Sequence, residues 1–171
     1  NGKAMSVLFA REGARIFALD IDASAVAETR EILTDEDGTC ASHVADVTDE
    51  AQVRAAIEAC MDTYGRIDVL VNNVGIAVVG GPAELDEPMW DRLKNTNIKS
   101  TYLTCRQVLP IMALQGSGSI VNNASIAALG WCGVNYGFYA ASKGAMVSMT
   151  KSIAVQFAPQ GVRANCVLPG L

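Results

Sequence analysis

The stretch "IDVLVNNVG", residues 67–75, decides the fold. It is a short apolar run, broken only by Asp68 and ended by two asparagines and a glycine. The run is too short for a core helix and lacks the alternation of a strand with one wet face, so it reads as a strand covered on both sides. Runs of the same kind recur on either side: "RIFALD" (15–20), "CASHVA" (40–45), "SIVNN" (119–123) and "VRANCVL" (162–168). Between them the apolar residues take helical spacing. The spacing predicts helices from Ala4 to Arg11, stopped by Gly13, and from Ala23 to Leu33, leaving through "DEDG". A third is started by Asp49, three residues before Gln52, and closed by Gly65. A long helix carries Pro88 in its first turn, where proline sacrifices no helical hydrogen bond, and runs towards Leu109. A last helix, from Tyr139 to Ala158, follows a glycine-rich loop. Strands that alternate with helices and are nearly continuous in Val, Ile and Leu imply an α/β fold, a doubly wound parallel sheet. No repeat, low-complexity tract or linker divides the sequence, so residues 1–171 are expected to form a single domain.

Half of the residues are apolar and 18% are charged, which is enough apolar surface for a packed core. A net charge of -5 leaves no basic footprint, so neither nucleic acid nor an anionic membrane is an expected partner, and a small molecule is. No run approaches the roughly 18 apolar residues of a membrane span, and the first residues lack the regions of a signal peptide, so a cytoplasmic protein is expected. The cysteines, Cys40, Cys60, Cys105, Cys132 and Cys166, are odd in number and form no C-x-x-C pair, which fits reduced thiols in apolar segments. His43 is the only histidine and reads as an ordinary strand-end residue, so no metal site is expected.

In such sheets a ligand lies beyond the carboxyl ends of the strands. The residues there are Asp20, Asp46, "NNVG" (72–75), "NNAS" (122–125) and "LPG" (168–170). An acidic residue in the position of Asp20 can accept hydrogen bonds from an adenosine ribose and repels a 2'-phosphate, which favours NAD over NADP; a solvated turn residue is the plainer alternative. Gly75 permits close approach of backbone to a ligand, and the amides of Asn72 and Asn73 can bridge strand ends or contact a ribose. Asn123-Ala124-Ser125 matches a glycosylation sequon, a weak reading at a buried strand end.

The stretch "YAASK", residues 139–143, carries the chemistry. Residues four apart share a helix face, which sets the Lys143 ammonium on the side of the Tyr139 phenol; Tyr136 has only Ala140 at that offset. A free phenol has a pKa near 10, too high for ready proton exchange at neutral pH. A nearby ammonium and a helix N-terminus both stabilise phenolate, which makes Tyr139 a candidate general acid or base. Ser125, closing the preceding strand, could hydrogen-bond a substrate oxygen beside it.

Asp20-Ile21, Asp46-Val47, "NNVG", Asn97, Ser125, the Tyr139-x-x-x-Lys143 pair and "LPG" stand in the order and approximate spacing of the short-chain dehydrogenases/reductases, which the whole chain resembles. The resemblance implies an NAD-dependent oxidoreductase acting on a secondary alcohol or its ketone, with no metal. It implies catalytic roles for Asn97, Ser125, Tyr139 and Lys143. Tyr139 exchanges the proton, Lys143 lowers its pKa and holds the nicotinamide ribose, Ser125 orients the substrate oxygen, and Asn97 fixes a proton-relaying water. It implies NAD contacts at Gly2, Asp20, Ile21, Asp46, Val47, Asn73, Gly75, Tyr139, Lys143, Pro169 and Gly170. A homodimer or homotetramer is the implied assembly.

The sequence departs from the family pattern in places. Only Gly2 remains of the glycine-rich phosphate loop, the strand ahead of it is absent, and the chain stops before the usual substrate-covering segment, so residues beyond those given are expected in the functional protein. Val74 replaces the usual alanine, and the interval from Ser125 to Tyr139 is one residue longer than usual. That loop carries Trp131, Tyr136 and Phe138, either as apolar walls of a substrate site or as packing aromatics. Two other functions share parts of the pattern: a non-catalytic dinucleotide-binding protein or inactive fragment, which should have lost Tyr, Lys or Ser, and a sugar-nucleotide epimerase, which needs a larger C-terminal region.

Overall fold

The computed structural model describes residues 1–170, which fall into two compact units, Asn1–Arg66 and a second beginning at Ile67. In the first, the order is α1 (Gly2–Arg11), β1 (Ile16–Asp20), α2 (Ala23–Asp35), β2 (Cys40–Val44) and α3 (Glu50–Tyr64). β1 and β2 pair in parallel, from Ile16 opposite Cys40 to Asp20 opposite Val44. The predicted start and stop of α3 act as expected, and α2 has a cap that the sequence reading did not name. Asp22 caps α2 by accepting from the Ser24 and Ala25 amides, Asp49 caps α3 by accepting from the Gln52 amide, and Gly65 closes α3 at φ 72°, where a side chain would be strained. Leu33 and Val53 are fully buried, each stabilising the unit by about 1.5–3 kcal/mol. Tyr64 ties α3 to the sheet: its hydroxyl donates to the Ile16 carbonyl and accepts from the Ala41 amide.

The second unit runs β3 (Val69–Asn72), α4 (Glu87–Lys94), a π-helical turn (Asn95–Lys99), α5 (Ser100–Gln115), β4 (Gly118–Asn123), a 3-10 turn (Ile126–Ala128), α6 (Gly137–Phe157) and β5 (Val162–Val167). Its strands form a parallel sheet in the order β3-β4-β5, with Asn72 opposite Asn122 and Asn123 opposite Val167. The fold is α/β and Rossmann-like, and the sequence given supplies no strand ahead of α1.

The long helix differs from its predicted bounds. It begins at Glu87 with Asp86 as cap and Pro88 in its first turn, but it widens into a π turn at Asn95–Lys99 and then continues to Gln115 instead of stopping near Leu109. Pro110 sits inside it on the exposed side. Leu103, Val108 and Met112 of α5, Ile120 of β4, Met146 of α6 and Val162 of β5 make the core of this unit.

Candidate active site

The catalytic candidates all lie in the second unit, where β3 and β4 end and α6 begins. Tyr139 occupies the first turn of α6 and Lys143 the next turn on the same face, with the ammonium 5.7 Å from the centre of the Tyr139 ring. Lys143 is only 4% exposed. Its Nζ donates to the Asn123 carbonyl at 2.7 Å, and burial pushes its pKa below the usual lysine value. A buried ammonium with one fixed acceptor retains further N–H donors for a ligand.

Asn97 is fully buried in the π turn. Its Oδ1 accepts from the Ile76 amide at 2.8 Å, and its Nδ2 donates to the Ile76 carbonyl and to Ser142 Oγ, both at 2.9 Å. Ser142 in turn donates to the Tyr139 carbonyl at 2.7 Å, so Asn97 is linked to the first turn of α6. The extra residue of the π turn lets one asparagine reach both groups; a π-bulge of this kind often marks a functional position. Ser125 follows β4 and caps the 3-10 turn, its Oγ accepting from the Ala127 amide at 3.2 Å, which leaves the hydroxyl hydrogen for another acceptor. Pro169 approaches the same turn, its carbonyl accepting from the Ile126 amide at 3.1 Å. Gly170 follows it, exposed.

A Cβ on Gly75 would lie 3.2 Å from Lys143 Nζ and 3.3 Å from Asn97 Oδ1. The glycine therefore keeps open a polar niche between the two side chains. That niche suits a cofactor with hydroxyl groups: the Lys143 ammonium faces it as a donor and Asn97 Oδ1 as an acceptor, and a methyl group would fill the cradle. Of the paired asparagines, Asn72 bridges strands, donating to Asn122 Oδ1 at 2.8 Å and accepting from Thr104 Oγ1 at 2.6 Å. The chain of bonds continues from Asn122 to Thr150 at 2.7 Å. Asn73 accepts instead from Asn123 Nδ2 at 2.8 Å.

In the first unit, Gly2 opens α1. The Asp20 carboxylate ends β1 exposed, its Oδ1 accepting from the Asp22 amide at 3.0 Å, and Ile21 beside it is 67% exposed. Asp46 is turned inward to its own loop, where Oδ1 accepts from both the amide and the hydroxyl of Thr48 at 2.8 Å; Val47 is half-buried.

The loop before α6 borders an open groove of about 590 Å³ lined by Ala127, Leu129, Trp131, Val134, Tyr136 and the α6 residues Ala140 and Gly144, among others. Trp131 and Tyr136 thus act as walls, with Tyr136 also leaning on Tyr139 at 5.2 Å between ring centres. Phe138 does not: it packs on Trp90 at 4.7 Å. Sequence reasoning missed Ile76, Ser142 and the double engagement of Asn123. The register could have located Asn123, because a chain that pairs Asn72 with Asn122 brings Asn73 and Asn123 together at the next step. The cysteines are free as expected, Cys60 and Cys105 buried and the others half-buried. No group of side chains suited to a metal ion occurs among the described residues, and no helix there is long and apolar enough to cross a membrane.

With this geometry in view, the sequence and fold can be compared with known proteins. The short chain dehydrogenase family profile matches residues 2–171. The 2-(R)-hydroxypropyl-CoM dehydrogenase of Xanthobacter autotrophicus is 41% identical over the whole of this chain, which covers 70% of that protein. Among solved structures, an NAD+-bound xylitol dehydrogenase superposes with a TM-score of 0.94 at 29% identity, over 99% of this chain and 65% of its own. ElxO with NADP bound gives a TM-score of 0.90 at 31% identity, over 99% of this chain and 69% of its own. The chain belongs to the short-chain dehydrogenase/reductase family, and it spans roughly two thirds of the length of these relatives.

Proposed function

We propose that the protein is an NAD-dependent oxidoreductase that moves a hydride between the nicotinamide and a secondary alcohol or ketone, with Tyr139 as general acid and base. The observation that carries this reading is the buried Lys143 ammonium 5.7 Å from the Tyr139 ring, beside the niche that Gly75 keeps open. When bound, a nicotinamide would supply or accept the hydride at the substrate carbon. In the reducing direction Tyr139 gives its phenolic proton to the carbonyl oxygen; in the oxidising direction it takes the hydroxyl proton back. The Lys143 ammonium and the N-terminal end of the α6 dipole both favour negative charge on the phenol oxygen as the proton moves. Ser125 donates its hydroxyl hydrogen to the same substrate oxygen and fixes its orientation. Lys143 uses its remaining hydrogens on the ribose of the cofactor, and Asn97 acts through the Ile76 peptide it grips, fixing a water for proton exchange with Lys143.

Gly75, Asn73, Pro169 and Gly170 line the nicotinamide half of the cofactor in this reading, and Gly2, Asp20, Ile21, Asp46 and Val47 serve the adenosine half. The exposed Asp20 carboxylate favours NAD, because its charge opposes a 2'-phosphate. The partner is a small-molecule alcohol or ketone substrate, and the protein works as a dimer or tetramer in the cytoplasm.

The test is turnover by the full-length protein with a panel of secondary alcohols and ketones, together with calorimetric binding of NADH and NADPH. Turnover of a panel member, with NADH bound at least about tenfold more tightly, a difference of about 1.4 kcal/mol, is expected. Tighter NADPH binding overturns the role of Asp20, and turnover of no panel member with either cofactor overturns the activity.

A further inference from the structure

Asn123 is given no role in the sequence reading beyond its place in the strand-end "NNAS" and a sequon, yet it touches two of the groups assigned to the cofactor. Its backbone carbonyl accepts from Lys143 Nζ at 2.7 Å, and its side-chain Nδ2 donates to Asn73 Oδ1 at 2.8 Å. A carboxamide has one acceptor end and one donor end, so an Asn73 whose oxygen is held by Asn123 must present its NH2 elsewhere. The neighbouring step of the sheet cannot supply this constraint, because Asn72 and Asn122 are already committed to each other and to Thr104 and Thr150.

We propose that Asn123 is a positioning residue that sets the hydrogen-bond polarity of Asn73, making it a donor towards the cofactor, while its carbonyl anchors the Lys143 ammonium. This rests on the reading of Asn73 and Lys143 as cofactor-holding residues. The ligand atom that Asn73 meets is consequently an acceptor oxygen, of the kind a ribose hydroxyl or an amide carbonyl provides. Asn123 itself does not touch the reacting atoms. It acts through two neighbours, and its removal affects cofactor binding more than the chemical step.

Polarity makes the proposal testable beyond simple loss of a contact. Asn123→Asp replaces the donor with an acceptor, so Asn73 must turn its NH2 inward to meet the carboxylate and offer its oxygen to the cofactor. The expected result in the full-length protein is NADH binding weakened about tenfold or more by calorimetry, as for one lost hydrogen bond with an unfavourable contact put in its place. The added charge close to Lys143 should also shift the pH profile of turnover, as an opposite charge a few ångströms away raises a lysine's pKa. Asn123→Leu, similar in volume and without polarity, should weaken binding severalfold while kcat stays near the wild-type value.

Asn73→Asp keeps an acceptor for Asn123 and replaces the donor that faces the cofactor with a charged acceptor, so it tests the same claim without altering Asn123. It should melt within a few degrees of the wild type and lose affinity for NADH about tenfold. Unchanged NADH affinity in Asn73→Asp, or equal effects of Asn123→Asp and Asn123→Leu on binding, would overturn the proposal. Calorimetry keeps these outcomes separate from the functional reading. Failure of the wild type to turn over any alcohol or ketone counts against the activity, whereas an unperturbed NADH affinity in the variants counts against Asn123.

Discussion

Lys143 Nζ lies 5.7 Å from the centre of the Tyr139 ring, within a side chain that is 4% exposed. A charge in that position costs the native state desolvation free energy, and burial lowers the lysine pKa accordingly. The sign for stability follows by linkage. Between the lowered folded-state value and the ordinary value of 10.5, the unfolded chain binds more protons than the folded one, so stability rises with pH across that window. The wild type should therefore gain stability relative to Lys143→Met as the pH is raised towards 10.5, and the variant should be inactive throughout. Thermal melts of both proteins from neutral to alkaline pH check this; a gap that does not change with pH contradicts it.

Cys105 is buried on α5, and burial pushes its thiol up to about 11. Thiolate is the reactive form, so Cys105 should resist alkylation in the folded protein at mildly alkaline pH, while the half-buried Cys132 of the loop reacts first. Mass spectrometry of peptides after timed alkylation reads the order directly. Because the folded-state value is raised, Cys105 also contributes stability that is present below the free thiol's pKa of roughly 8.5 and is lost as the pH climbs through 11. Cys105→Ala should remove that alkaline loss.

Asn122 is fully buried and holds both Asn72 and Thr150. Asn122→Ala takes one hydrogen-bond partner from Asn72 on β3 and one from Thr150 on α6, which keeps its bond to the Met146 carbonyl, at a cost of about 1–3 kcal/mol. Urea unfolding should show the midpoint falling with little change in slope. A loss below about 0.5 kcal/mol, the scatter of ordinary surface substitutions, would mean that water replaces the asparagine without penalty.

Space, not backbone, accounts for glycine at position 75: its φ is outside the left-handed region, and its missing Cβ leaves room beside Lys143 and Asn97. Gly75→Ala should therefore fold with a melting temperature close to that of the wild type. Turnover should fall on the order of 100-fold, as for other small displacements of positioned groups. Steady-state kinetics and a melting curve on the same preparation separate the two effects.

The alternation of buried strands with capped helices could be read from the residues because each signal was local. Asp49 and Gly65 bound α3 through their own side chain and backbone, and Pro88 marks the first turn of α4 in the same way. The end of the long helix was not legible. Pro110 looks like a stop but lies on the exposed side, and nothing in "NTNIK" announces a π turn, which depends on where Ile76 and Ser142 stand in the folded chain. The pairing of Tyr139 with Lys143 followed from helical spacing alone. The placement of Asn123 against Asn73 and Lys143 depended on strand register, which the sequence carries only indirectly.

The central claim is that Tyr139 moves the proton while other residues hold the cofactor, and Tyr139→Phe tests it most directly, since it removes one oxygen and keeps the ring that Tyr136 leans on. Turnover of the full-length variant is measured together with its affinity for NADH. The account predicts a loss of kcat on the order of 1,000-fold, typical for a positioned general acid and base, with NADH affinity within severalfold of the wild type. Turnover comparable to the wild type in Tyr139→Phe would contradict it.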